Sequence, residues 1–191
     1  MTTAAPGLRS PMLAQLQVEL DRIEPRTRVA VTGLPESKFH EAPPDGGWSV
    51  AQVFEHLCVA NRSYLDGPLP RAVEQAVEQA VEQGPSTRPW RPSWMGGWLT
   101  RSLVEGAKPV GAPRLYRVGK PRANVVDEFL RTIAEVRRLM LRVDGHDLRV
   151  GMASPVTPII RMNVGDAFRI LVVHSHRHLA QAERTRRAVG M

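Results

Sequence analysis

The sequence has a single cysteine, Cys58. No internal disulfide can form, and the chain suits a reducing compartment. No apolar run approaches the roughly 18–20 residues that a membrane-spanning helix needs. The opening Met-Thr-Thr-Ala-Ala-Pro-Gly lacks the apolar core of a signal peptide, so a cytoplasmic protein is expected. Lysine is almost missing: of 26 basic residues only Lys38, Lys108 and Lys120 are lysines, the rest being arginines, and the net charge is +7. Those arginines are scattered from Arg9 to Arg187 and nowhere alternate densely with aromatics, which make up only 5% of the chain. That distribution argues against a nucleic-acid partner, since such surfaces cluster their charge, and the lack of a long apolar run leaves no membrane partner expected. What remains is 191 residues with 42% hydrophobic content, enough for one domain with its own core.

Apolar residues recur at helical spacing along most of the chain. Residues 1–9 read as a flexible tail, and 10–191 as one domain. Ser10-Pro11 is a helix start, a capping hydroxyl followed by proline at the first helical position. Leu13, Leu16, Leu20 and Ile23 mark its inner face, and Pro25 is expected to kink or restart it. Residues 35–47 read as a loop. Ser49-Val50-Ala51-Gln52 fits a capping box, with Trp48 ahead of it as the hydrophobic residue that fixes how the chain enters the helix. The inward stripe that follows is Val53, His56 with Leu57, Ala60 and Tyr64. Gly67, Pro68 and Pro70 stop this helix. The tandem Ala-Val-Glu-Gln repeat from Ala72 to Gln83 reads as a surface helix whose valines drift round the axis.

Residues 84–123 are rich in proline, glycine and tryptophan. Trp94 to Val104 fits a short helix, Gly106 to Arg122 reads as extended and irregular, and the whole segment is expected to cover one end of a site. A long helix follows from Asn124 to Asp144, with Val126, Phe129, Ile133, Val136, Met140 and Val143 on its inner face. Pro155 and Pro158 keep the next stretch irregular. Asn163 caps the last helix, with Asp166 three residues on, near the positive N-terminus. Ala167, Leu171, His174, His178 and Gln181 share its inner face. The expected fold is all-α, an up-and-down four-helix bundle with a long irregular insertion before the third bundle helix.

His174 and His178 lie one helical turn apart and point the same way, whereas His176 points elsewhere. Two histidines do not make a catalytic metal site, which takes three protein ligands and keeps one position open. His56, on the apolar face of another bundle helix, is the candidate third, because bundles build metal sites from facing helices. Each histidine alone can equally be a hydrogen-bonded core residue. Gln52 and Gln181, each within a turn of a candidate ligand, can hold a ligand tautomer or orient a bound water or substrate. Arg177 can bind a substrate carboxylate or a structural acid such as Glu55. Glu55 points about a quarter turn away from His56 and is expected to pair with a helix-surface arginine. Cys58 is expected to be a small core residue.

The run Gly47-Trp48-Ser49-Val50-Ala51-Gln52-Val53-Phe54-Glu55-His56-Leu57, followed far downstream by His174-Ser175-His176-Arg177-His178-Leu179-Ala180-Gln181, resembles the DinB-like family of metal-binding four-helix bundles. The resemblance spans roughly residues 10–189. In that family a Trp-Ser helix start precedes one histidine, and a His-x-x-x-His pair lies on the last helix. The resemblance thus implies a divalent metal on His56, His174 and His178. It also implies a homodimer, and an activity among metal-dependent thiol S-transferases, thiol-using isomerases or hydrolases.

Three neutral imidazoles leave an ion's double charge uncompensated, so the open position should attract a thiolate or hydroxide. The expected function is transfer of a low-molecular-weight thiol to a small-molecule substrate. The alternatives are a metal-hydroxide hydrolase and a non-catalytic metal-binding bundle that acts through dimerisation or a partner. Imidazole suits zinc, nickel, copper and iron; zinc is the first choice, with nickel or iron next.

Overall fold

The computed structural model describes residues 8–84, 86, 88–104, 106, 116 and 118–190. Helix α1, Pro11–Asp21, starts where the sequence says, with the Ser10 hydroxyl accepting from the Leu13 N–H. Of the expected tail, residues 1–7 lie outside the described residues. Leu8 packs on the core, and the Arg9 N–H donates to the Asp144 carboxylate at 2.7 Å. The break in the first helix comes at Arg22, three residues before the expected Pro25, and α2 runs Ile23–Val31. Pro25 has no N–H to give to the carbonyl four residues back, so the chain restarts early enough to place it in the first turn, where no donor is needed. The loop expected at 35–47 includes a one-turn helix, α3, Glu36–Phe39.

Helix α4, Val50–Leu65, opens on the expected capping box: Ser49 Oγ accepts from the Gln52 N–H, and Gln52 Oε1 accepts from the Ser49 N–H. Pro68 and Pro70 end α4 but also begin α5, Pro68–Gln83, where proline fits the first helical positions. The repeat's valines do drift round: Val73 is fully buried, Val77 half-buried and Val81 exposed. Helix α6 is Trp94–Leu103, and most of the stretch expected to be extended between Gly106 and Arg122 lies outside the described residues.

Helix α7, Val125–Val143, buries Phe129, Ile133, Val136, Met140 and Val143 as expected, with Val126 packed at the margin. The irregular stretch before the last helix contains an unanticipated antiparallel hairpin, β1 Gly151–Ala153 with β2 Arg161–Asn163, registered Met152 opposite Met162. Three-residue strands are too short to show alternation, which needs four or more. Helix α8, Val164–Ala188, closes the chain under a second capping box, Asn163 with Asp166.

α4 packs on both α7 and α8. α1 and α2 lie along α8, and α5 lies along α7. The largest buried side chains include Phe54 on α4, Phe129 on α7 and Phe168 on α8, so one apolar core joins the three long helices. The result is a helical bundle with one small hairpin. No helix among the described residues is long and apolar enough to cross a membrane.

α6 packs against α8. It runs parallel to α8: at one end the Ser93 N–H donates to the Asp166 carboxylate at 3.1 Å, and eleven residues on, the Val104 carbonyl accepts from Arg177 at 2.7 Å.

Candidate metal centre

The capping box of α4 sets the phase of its helix and turns His56 inward with Val53, Leu57, Ala60 and Tyr64, all buried. The box of α8 does the same for Leu171 and, one and two turns on, for half-buried His174 and His178. Because α4 and α8 pack together, the three histidines meet. Their ring centroids stand 5.1 Å (His56–His174), 4.5 Å (His56–His178) and 4.5 Å (His174–His178) apart. One ligand atom from each lies within 4.8 Å of the other two. His56 Nε2 and His174 Nε2 are 3.2 Å apart, and nitrogens about 2.0 Å from a tetrahedral ion stand roughly 3.3 Å apart. Among the described residues no carboxylate or thiol joins the cluster.

The protons decide what this cluster can do. His56 Nδ1 lies 3.1 Å from the Tyr116 carbonyl. A carbonyl only accepts, so Nδ1 carries the hydrogen and Nε2 presents a lone pair. His178 Nδ1 donates to Gln181 Oε1 at 2.8 Å, which leaves its Nε2 bare in the same way. Burial, the largest cause, pushes the His178 imidazole down to about 3, with the nearby His56 charge acting the same way and the Gln181 hydrogen bond opposing. Burial, then His178, His56 and Arg177, holds His174 well below its ordinary value. His56 is lowered by burial against the pull of the Tyr116 carbonyl. All three are therefore neutral ligands at physiological pH. Nε2 is bare on His56 and on His178, and His174 Nε2 stands 3.2 Å from that of His56, where a hydrogen on His174 or a divalent ion can be shared between them, so this donor set fits a divalent ion.

A pH dependence follows. Below about 6.5 the unfolded chain takes up protons that the folded, metal-free protein refuses, so stability falls as pH drops toward about 3. Melting of chelator-treated protein between pH 8 and 4 should show this decline, and His178→Ala should flatten it. An equal slope in the variant would mean that the folded imidazole protonates as readily as a free one.

The other candidate residues divide. Gln181 orients His178, as described. Gln52 is engaged in the α4 cap, not with a histidine. Arg177 reaches from α8 to the Val104 carbonyl just past the end of α6, and its charge bears on His174 and His178. Glu55 does pair with an arginine, at 2.9 Å, but it is Arg122 in the irregular stretch before α7 and not one on a helix surface. His176 faces away: its Nε2–H donates to the Glu19 carbonyl at 3.0 Å, and its Nδ1 accepts from Arg26. Cys58 is fully buried; its thiol donates to the Val125 carbonyl and is pushed up to about 12 by burial, so it is inert as a nucleophile.

Two residues join the site from outside that set. Trp48 stacks beside His178, with centroids 6.1 Å apart, and lies 4.7 Å from His56, so its indole walls one side. Its place just ahead of the cap was the available signal. Tyr116 contributes a main-chain carbonyl, which no residue pattern announces. Of the segment expected to cover the site, Tyr116 touches His56 and Val104 is hydrogen-bonded to Arg177, while residues 105, 107–115 and 117 lie outside the described residues.

Residues 19–182 match the family model described as the DinB superfamily. No curated protein and no solved structure matches the chain.

Proposed function

The chain belongs to the DinB superfamily, and from that premise we propose that it is a metal-dependent enzyme that activates a low-molecular-weight thiol. One divalent ion, zinc first and nickel or iron next, is held by His56, His174 and His178. The observation that carries this reading is the convergence of three neutral imidazoles with no fourth protein ligand in the cluster, among the described residues. Structural zinc sites close their shell with four protein ligands, whereas catalytic ones keep a position open. When bound, such an ion supplies Lewis acidity, bringing a thiol or water in the open position toward ionisation at neutral pH.

The protein's own groups supply the rest. The Tyr116 carbonyl and the Gln181 amide are uncharged partners of the histidines, so they orient the ligands without offsetting the ion's charge. An anion is then favoured at the open position. Trp48 keeps water off one side, and Arg177 sets a positive charge near the histidines. In the transfer the thiol sulfur bonds to an electrophilic carbon, the leaving group departs with its bonding pair, and the thiol proton goes to solvent. Hydrolysis, with water in place of the thiol, is the second reading, because the same open position accepts either.

Cobalt(II)-loaded protein separates these readings. Adding 2-mercaptoethanol should bring up sulfur-to-cobalt charge-transfer absorption, saturating at one thiol per ion. A spectrum unmoved by thiols would end the thiol reading and leave hydrolysis to be assayed.

A further inference from the structure

Tyr116 is held to α4 at two points. Its carbonyl accepts from His56 Nδ1 at 3.1 Å, and its phenol meets Ser63 Oγ at 2.9 Å. Ser63 gives its only proton to the Ala60 carbonyl, at 2.7 Å, so in the second contact the phenol is the donor and Ser63 the acceptor. His56 and Ser63 are seven residues apart, two turns on one helix face, about 10.5 Å along the axis. Tyr116 therefore lies lengthwise on α4, only 7% exposed, with its ring edge-on to His56. Burial pushes the phenol's pKa up, so it keeps the proton that this contact needs.

We propose that Tyr116 is a positioning residue for the metal: the phenol's bond to Ser63 seats the carbonyl that keeps His56 Nε2 bare for the ion. This rests on the metal reading above. The carbonyl is available from any residue at this position, but its place is set by the tyrosine side chain. Without the phenol bond, the carbonyl loses its anchor, and the His56 ring is free to turn or to move its hydrogen to Nε2, where it would block ligation. Because linkage is reciprocal, a bound ion should in turn hold Tyr116 more firmly in its seat.

The test is zinc affinity, measured by competition with a chromophoric chelator, for Tyr116→Phe, Ser63→Ala, the double variant and Ser63→Thr. Each single variant deletes one end of one hydrogen bond and should weaken zinc binding by about 3- to 10-fold. The double variant should be no weaker than the worse single, since both remove the same bond. Ser63→Thr, which keeps an acceptor hydroxyl, should restore near wild-type affinity. Nitrogen-15 spectra of the metal-free imidazoles supply a readout that general loosening would not give: His56 should be the Nδ1–H tautomer in the wild type and a mixture in Tyr116→Phe. Wild-type affinity in both single variants, or an unchanged His56 tautomer, would overturn the inference while the metal reading stands. A wild-type protein that takes up no zinc would remove both.

Discussion

His178→Ala is expected to strip the protein of its ion. Free energies for structural zinc sites run to about 10–16 kcal/mol, so an even share among four ligands is about 2.5–4 kcal/mol, roughly 60- to 900-fold in affinity for each imidazole lost. The geometry offers no replacement ligand: among the described residues the cluster holds only His56, His174 and His178, and the nearest other histidine on α8, His176, is turned to Glu19 and Arg26. Elemental analysis of protein purified without chelator should find about one metal per wild-type chain, and next to none in His178→Ala or His56→Ala. Metal should also raise the melting temperature of the wild type, because an ion that binds only the folded state stabilises it, and that rise should vanish in both variants. In the metal-free proteins the substitutions should matter less, since there each removes an imidazole and its hydrogen bonds but no metal ligand. If the variants kept their metal, the ion would be held elsewhere. If the wild type carried none and took up neither zinc nor nickel, the three histidines would be core residues.

The second large effect lies at the other end of α8. Gly96→Ala should destabilise the fold by about 3 kcal/mol or more. A methyl group there would run into the Asp166 carboxylate, and Asp166 has no exposed surface into which to retreat. Its Oδ2 accepts the N–H groups of Ser93 and Asn163, so one carboxylate caps the starts of both α6 and α8. Moving it combines overpacking, typically about 1–3 kcal/mol, with the loss of buried hydrogen bonds to a charged acceptor, about 1.5–3 kcal/mol. The neighbouring glycine is the control. A methyl on Gly97 would meet nothing nearer than Arg101 at 3.5 Å and Pro92 at 3.6 Å, ordinary contact distances. Gly97→Ala should therefore gain up to about 1 kcal/mol from helix propensity. Urea denaturation of the two variants measures both. Similar stabilities would mean that α6 does not pack on α8 through Gly96. Because α6 ends at Arg177, beside the histidines, Gly96→Ala should also weaken metal binding, whereas Gly97→Ala should not.

Much of this was legible in the chain. Ser49 with Gln52 and Asn163 with Asp166 announced the two helix starts that set the phase of the ligand histidines. Once a helix has a start, its 3.6-residue period decides which side chains share a face, so His56 fell among Val53, Leu57 and Ala60, and His174 lined up with His178. The pairing of His174 with His178 needed only local geometry. The joining of His56 to them, 118 residues away from His174, was legible through the Trp-Ser start and the family likeness, not through any spacing.

Other features had no local signature. The break at Arg22 came early because Pro25 acts on the carbonyl four residues behind it, which shifts the effect upstream of its cause. The hairpin at Met152 and Met162 is too short for a period. Gly96 and Gly97 are neighbours of the same residue type, yet one is a contact point for a buried carboxylate and the other is not. Gln52 had two plausible uses, and the cap claimed it.

The sequence by itself determined the helices, their inner faces and the three imidazoles, because hydrogen-bond period, caps and hydrophobic spacing act over a few residues. Only the tertiary structure decided that α6 lies parallel on α8, that Trp48 walls the histidines, and that the Tyr116 carbonyl chooses the His56 tautomer. Those contacts join residues as much as 137 positions apart, as between Thr185 and the Trp48 carbonyl. They depend on which helix packs against which, and a main-chain carbonyl can be offered by any residue, so nothing in the chain's local pattern marks the one that is used.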